Sequence, residues 1–134
     1  MDESQAVLFA NEAFYYAFSE RDLEAMEELW SREVAVTCIH PGWGLLEGRD
    51  EVMRSWLAIL ANPEAPTVIC RAARAFVRGD IAYVVCFEEI EGNHLIATNV
   101  YAREDSRWRL IHHQAGPTGD APPDEEIDGP ARPN

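Results

Sequence analysis

The first half of the chain spaces its apolar residues with the period of an α-helix. Across residues 4–19 they recur at intervals of three and four, which is typical of a helix with one buried face. Asp22 is a suitable N-cap for a second, shorter helix. Residues 48–50 lead into a third helix, which Asn62 and Pro63 end. The pattern therefore predicts three helices before residue 64.

The second half changes to the period of β-strands. Four β-rich runs fill residues 67–115 and are separated by tight turns at Gly79-Asp80, Gly92-Asn93 and Asp105-Ser106. Shorter β-branched runs at 34–39 and 45–46 favour two small strands earlier in the chain. Helices followed by an antiparallel meander predict an α+β fold whose sheet curls around the helices. A sheet curled in this way leaves a cavity at its open end.

Regular hairpins determine which side chains face that cavity. Two-residue turns would pair Arg71 with Glu88 and Cys86 with Asn99, and would place Tyr101 on the same face. Arg71 and Glu88 then form an internal ion pair that either shapes the cavity or contacts a ligand. A bulge in either strand would reverse these orientations.

The opposite face of the predicted sheet is also apolar, since it carries Tyr83, Val85 and Phe87. A small domain whose sheet has two apolar faces covers its helices with one and a partner with the other. We therefore expect a homodimer through the outer sheet face.

Charge and composition narrow the classes of partner. The chain has 134 residues and a formal charge of -13, so it fits one domain and disfavours nucleic acid and anionic membranes. Residues 1–116 are expected to form the domain, and the acidic, proline-rich residues 117–134 a disordered tail. Three cysteines in apolar runs indicate buried, reduced thiols in a cytoplasmic protein. Without a His-x-His or Cys-x-x-Cys spacing, neither a metal nor a cofactor is expected.

Several local strings resemble the nuclear transport factor 2-like superfamily, and within it the bacterial SnoaL-like and ketosteroid-isomerase-like proteins. They are Ser-Glu-Arg-Asp-Leu at 19–23, Cys-Ile-His-Pro-Gly-Trp at 38–43, Leu-Glu-Gly-Arg-Asp at 46–50 and Trp-Arg-Leu-Ile-His-His at 108–113. The resemblance covers about residues 5–116. It implies a cystatin-like cone, in which a curved antiparallel sheet wraps around three N-terminal helices and encloses a deep pocket. Dimers through the outer sheet face are common in that superfamily.

The resemblance also suggests catalytic positions. His40 stands where ketosteroid-isomerase-like members have their base, and Asn99 stands where they have a protonated acid. Phe14 replaces the tyrosine that donates to the oxyanion, although Tyr15 and Tyr16 follow it. Because that donor is lost, steroid isomerisation is not expected. His40 remains a candidate general base and Asn99 a candidate donor. The alternative is that His40 is structural and its ring hydrogen-bonds a neighbouring backbone group.

The last strand resembles the kinase II association domain, another member of the superfamily. That likeness implies that Arg109, Ile111, His113 and Ala115 point inward. It implies that Trp108, Leu110, His112 and Gln114 point outward, although the orientation of the two adjacent histidines stays open. His113 is therefore a candidate pocket residue.

Two functions agree with these residues. In the first, the domain binds a small, apolar or carbonyl-containing molecule through a deep pocket. The expected ligand-binding residues are Phe14, Trp43, Trp56, Arg71, Glu88, Tyr101 and His113. In the second, the domain is a cofactor-free isomerase, cyclase, dehydratase or hydrolase that uses His40 as its base. The second requires His40, Asn99 and His113 to lie within a few ångströms of one empty volume, and it fails if they lie on different sides of the sheet.

Overall fold

The computed structural model describes residues 1–123 and contains three helices and six strands. The helices are α1 (Glu3–Ser19), α2 (Leu23–Leu29) and α3 (Arg49–Ala61). The strands are β1 (Thr37–Ile39), β2 (Leu46–Glu47), β3 (Ile69–Arg78), β4 (Ile81–Ile90), β5 (Asn93–Glu104) and β6 (Arg107–Pro117). All nine elements lie where the sequence predicts them, and the α+β cone is confirmed.

The helix starts follow from short polar side chains. Asp2 accepts a hydrogen bond from the backbone of Gln5, and the Gln5 side chain accepts one from the backbone of Asp2, so that α1 begins with a capping box. Asp22 accepts from the backbone N–H of Ala25 at 3.0 Å and caps α2 as predicted. The capped helices pack their apolar faces into the concave side of the sheet.

The sheet is curved, unclosed and mixed, with strand order β2-β1-β6-β5-β4-β3. The meander of β3 to β6 is antiparallel as predicted, and the sheet is mixed because β1 runs parallel to β6. Cys38 lies opposite His113 in that pairing. The end of β1, where His40 follows, is therefore brought to the strand that carries His113.

A bulge in β3 changes the predicted pairing of Arg71. The register shifts between Arg71 and Arg74, and Ala72 has a φ of 54° in the left-handed region. Cys70 therefore lies opposite Glu88, and Arg71 lies opposite Phe87 on the outer face. The Arg71 guanidinium bonds Glu89 at 3.0 Å, so the predicted ion pair with Glu88 is wrong.

The β4–β5 hairpin turns one residue earlier than predicted. Ile90 pairs with Asn93, so Glu91 and Gly92 form the turn and every pairing moves by two residues. Val84, instead of Cys86, lies opposite Asn99. Because a shift of two preserves the side on which each side chain lies, the predicted inward faces of both strands are correct.

The β5–β6 hairpin holds a second irregularity, between Val100 and Tyr101. In β6 the shift falls between Leu110 and His112. The predicted orientations in β6 are correct from His112 onward and wrong before it. His113 and Ala115 are buried, whereas His112 and Gln114 are partly or fully exposed. Trp108 and Leu110 are buried against the prediction, and Arg109 and Ile111 are only half-buried.

The core lies between α1, α3 and the concave face of the sheet. Its largest fully buried side chains include Trp30, Trp56, Phe14 and Tyr101. Cys38 and Cys86 are buried and Cys70 is half-buried, and all three thiols are free. No helix in residues 1–123 has the length and apolar character needed to span a membrane. The predicted tail falls largely on residues 124–134, which lie outside the described part of the chain.

Candidate functional site

A cavity of about 220 Å³ opens between the end of β1, α3 and the strands β4, β5 and β6. Most of its wall is apolar and is formed by Phe18, Pro41, Trp43, Ile59, Ala65, Pro66, Val68, Ile90 and Leu95. Three titratable side chains complete the wall: His40, Glu88 and His113. Apolar walls with a few convergent polar groups are typical of small-molecule sites.

His40 is held at the end of β1 by α3. Its Nε2 lies 2.9 Å from the Ser55 hydroxyl, and that hydroxyl donates to the Val52 carbonyl at 2.7 Å. Because the serine proton is used in this way, Nε2 donates to Ser55 and Nδ1 carries the lone pair. Burial lowers the pKa of His40 to about 4, so the ring is neutral at pH 7.

His113 is held in position by a hydrogen bond to the side chain of Asn99. Its Nδ1 lies 2.5 Å from Asn99 Oδ1, and the Asn99 amide donates to Asn11 Oδ1 at 2.9 Å. An oxygen acceptor at that distance requires a proton on Nδ1, so Nε2 of a neutral ring carries the lone pair. Burial, with repulsion from His40 and His112, lowers the pKa of His113 to about 3.

Glu88 brings a carboxyl group into the same apolar surroundings. It is 2% exposed, and its Oε2 accepts a hydrogen bond from the Tyr15 hydroxyl at 2.6 Å. Burial raises the pKa of Glu88 to about 7, although the Tyr15 bond acts in the opposite direction. Its Oε2 lies 3.9 Å from His113 Nε2, which is too far for a direct hydrogen bond.

Asn99 and Tyr101 lie behind the cavity wall and form a buried polar network with α1. The Tyr101 hydroxyl donates to Asn11 at 2.8 Å, and the Asn99 amide lies 3.2 Å from the Tyr15 hydroxyl. Every member of the network has a partner, as buried polar groups require. Asn99 therefore acts on the cavity through His113.

Aromatic rings surround the two histidines. The Trp56 ring packs edge-on against the His40 ring, with the two ring centroids 4.8 Å apart. The centroids of the Phe14 and His113 rings are 5.1 Å apart. Trp43 packs against His40 at 4.8 Å but remains 46% exposed, so it stands at the mouth of the cavity. Phe14 and Trp56 are fully buried and support the wall from behind.

The structure brings together most of the residues that the sequence proposes. His40, Trp43, Glu88 and His113 line the cavity; Phe14, Trp56, Asn99 and Tyr101 pack behind it; Arg71 lies on the other face of the sheet. His40, Asn99 and His113 lie on one side of the sheet, but His40 and His113 line the cavity whereas Asn99 packs behind it, and the enzyme hypothesis needs all three beside one empty volume. Their roles as catalytic or binding residues stay predictions.

Ser55 and the apolar wall residues other than Trp43 were not among the predicted site residues. Two buried polar residues, Asn11 and Tyr15, were also missed. Both lie on α1, where they are buried and contact the network around Glu88 and Asn99. They stand four and eight residues after Val7, which the helical period places on the buried side. That position of two polar side chains was the signal that could have identified them.

Sequence and structure comparisons agree with this geometry. A family model described as the SnoaL-like domain matches residues 7–118. The chain belongs to the SnoaL-like domain family. Solved structures with nuclear transport factor 2-like and cystatin-like folds also match it, so both the predicted superfamily and the predicted fold are confirmed.

Two solved structures from this superfamily are more than 30% identical to the SnoaL-like chain. A candidate dehydratase of the nuclear transport factor 2-like family from Streptomyces avermitilis is 35% identical, with a TM-score of 0.80. The match covers 87% of this chain and 96% of that one. A candidate calcium/calmodulin-dependent protein kinase type II association domain from Thiobacillus denitrificans is 31% identical over 81% of this chain and 92% of its own, with a TM-score of 0.73.

A curated plant protein is also similar. The F-box protein SKIP8 of Arabidopsis thaliana is 27% identical over 114 residues, which are 84% of this chain. The chain spans about half the length of that relative, 49%. The similarity thus concerns one region of the longer protein.

Proposed function

We propose that this SnoaL-like domain binds a small, mainly apolar molecule in the cavity between His40, Glu88 and His113. The observation that carries the proposal is the convergence of three buried titratable groups on one apolar cavity. Burial penalises the charged form of each of these groups, and titratable groups perturbed in this way cluster at functional sites. A ligand that hydrogen-bonds to them accounts for their position in the cavity wall.

The volume of the cavity fits a ligand with one ring. An apolar cavity of roughly 150 Å³ is large enough to hold benzene, and this cavity measures about 220 Å³. We therefore expect toluene to bind, with shifts of the NMR signals of Phe18, Val68 and Leu95.

A cavity-filling variant tests that site. Val68→Phe adds a ring at a residue that lines the cavity and is 3% exposed, so it should abolish toluene binding. Val34→Phe makes the same change at a 42% exposed position and should leave binding unchanged. Equal toluene binding by both variants, or an unmodified chain that binds neither toluene nor a polar benzyl compound, would refute the proposal.

A second candidate function is cofactor-free acid–base catalysis, of the dehydratase or isomerase class. It is supported by the neighbouring Tyr15, Glu88 and His113 side chains and by the 35% identity to a candidate dehydratase. A base works best when its pKa lies near the working pH. With pKa values of about 7 for Glu88 and about 4 for His40, Glu88 takes the role of base in this proposal, in place of His40.

Exchange of carbon-bound protons tests the catalytic proposal without knowledge of the substrate. A general base of this kind can remove a proton next to a carbonyl group, so we expect the protein to accelerate deuterium uptake by cyclohexanone in D₂O. Glu88→Gln should remove the acceleration and His40→Gln should retain most of it. The same exchange rate in the presence of Glu88→Gln and of the unmodified protein would exclude Glu88 as the base.

A further inference from the structure

The orientation of hydrogen bonds around the cavity defines which groups a ligand must present. The Asn11 oxygen accepts from both Tyr101 and Asn99, which turns the Asn99 oxygen toward His113 Nδ1. His113 Nε2 consequently has a lone pair and no proton. The buried amides on α1 and β5 thus determine the proton position on a cavity histidine.

Glu88 and His113 then present two acceptors side by side. Glu88 Oε2 and His113 Nε2 are 3.9 Å apart, and no proton lies between them when Glu88 is ionised. Among residues 1–123, the neighbours of this carboxyl group are a tyrosine hydroxyl at 2.6 Å and the neutral His113 ring at 3.9 Å, and neither is a cation. A buried carboxylate is stabilised by a positive partner, so an ionised Glu88 leaves a place that a cationic ligand can fill.

We propose that the cavity binds a small apolar primary amine, whose ammonium group donates to both Glu88 Oε2 and His113 Nε2. An ammonium nitrogen has three N–H donors and no lone pair, so one atom can bridge both acceptors. A hydroxyl group has one proton and bridges only one of them, and a carbonyl oxygen has none. The proposal rests on the proposed binding function and names the ligand class for that same site.

The rest of the cavity suits the same ligand. Phe18 and the partly exposed Trp43 present aromatic rings, whose faces attract cations. The formal charge of -13 also attracts cations and repels anions. An apolar body in the cavity and an ammonium group at Glu88 therefore satisfy both parts of the wall.

Five probes that share one phenyl ring test the proposal by NMR titration of the full chain at pH 7.5: benzylamine, benzyl alcohol, benzaldehyde, benzoate and toluene. We expect benzylamine to bind about tenfold or more tightly than toluene, benzyl alcohol to bind in between, and benzoate to bind most weakly. Toluene or benzaldehyde binding as tightly as benzylamine would overturn the amine proposal while leaving the binding function intact. If none of the five binds, both proposals are wrong.

Two matched variants separate the cavity carboxylate from the general negative charge. Glu88→Gln should weaken benzylamine binding about tenfold and leave toluene binding within about twofold. Glu89→Gln makes the same change one residue along β4, on the face where Glu89 pairs with Arg71, and should change neither. Equal loss of benzylamine affinity in both variants would show attraction to the whole surface and overturn the proposal.

Discussion

Burial opposes the ionisation of Glu88, and the free energy of folding must depend on pH as a result. Its pKa is raised from 4.5 to about 7. The folded state then binds the proton more tightly than the unfolded state. The contribution of Glu88 to stability is therefore largest below pH 4.5 and is lost as the pH rises toward 7. The histidines behave oppositely, since their lowered pKa values stabilise the fold above pH 6.5 and this stabilisation is lost toward pH 4 for His40 and pH 3 for His113.

Glu88→Gln isolates the first of these effects. The amide keeps the size of the side chain but cannot ionise, so the variant should gain stability relative to the unmodified chain as the pH rises. We expect the difference in free energy of unfolding to change by about 1–3 kcal/mol between pH 5 and pH 8, measured by urea denaturation. Parallel stability curves for Glu88→Gln and the unmodified chain would contradict the raised pKa.

Tyr15 moderates the same carboxyl group. Its hydroxyl donates to Glu88 at 2.6 Å and favours the ionised form. Tyr15→Phe should therefore raise the pKa of Glu88 further and cost about 1–3 kcal/mol of stability, because a buried partner is left unpaired. A carbon-detected NMR titration of Glu88 gives the pKa directly. Tyr16→Phe, at a neighbouring residue that is 68% exposed, serves as the control. A Glu88 pKa that stays near 7 in Tyr15→Phe would show that the hydrogen bond has no effect.

At the scale of elements, local signals were sufficient where the chain obeys a regular period. Asp22 starts α2 as a short polar cap must, and Gly79-Asp80 closes the β3–β4 hairpin as predicted. The bulge at Ala72 has no such signal, because alanine rarely adopts a positive φ and neither neighbour marks the turn. Arg71, which precedes the bulge, was therefore assigned to the wrong face.

The parallel pairing of β1 with β6 was also beyond a reading of local pattern. It joins residues 37–39 to residues 112–114, and a three-residue strand has no recognisable partner preference. His40 and His113 were nevertheless both proposed as site residues, through the family resemblance. The network from Asn11 to Asn99 was not found, because polar positions on a helix are ordinarily assigned to solvent.

The bulge in β3 makes its own prediction. Ala72 is held at a φ of 54°, a conformation that glycine adopts without strain. We expect Ala72→Gly to leave stability unchanged or to raise it by up to about 1 kcal/mol. Ala75→Gly lies in the regular part of β3 and should cost about 0.5–1 kcal/mol. Thermal unfolding of both variants measures the contrast. A loss in Ala72→Gly as large as in Ala75→Gly would show that the left-handed conformation is not strained.

Across the whole sequence, most of the excess negative charge lies outside the residues that line the cavity. It favours solubility and does not by itself determine what the cavity binds. Along the sequence, residues 1–33 hold nine acidic residues against two arginines and residues 116–134 hold five against one, whereas residues 34–115 hold ten against eight. Within the cavity wall Glu88 is the acidic residue, and its ionisation depends on the ligand and on pH. The net charge attracts cations over long distances, whereas the Glu88 carboxylate is the group that contacts the ligand directly in the proposed site.

The outer face of the sheet carries the last prediction, a homodimer through that face. The rings of Phe76 and Tyr83 stack at 5.0 Å there, and Ile69, Ile81 and Ile96 are 38–43% exposed. Arginines and Glu89 share the face, so two copies related by a twofold axis can match opposite charges around an apolar centre. We expect light scattering at micromolar concentration to give twice the 15.1 kDa mass of one chain. Val85→Asp adds a charge between Tyr83 and Phe87 and should produce a monomer, whereas Leu57→Asp, at an exposed position on α3, should not. A monomeric unmodified chain, or a dimer that Val85→Asp leaves intact, would show that this face is not the interface.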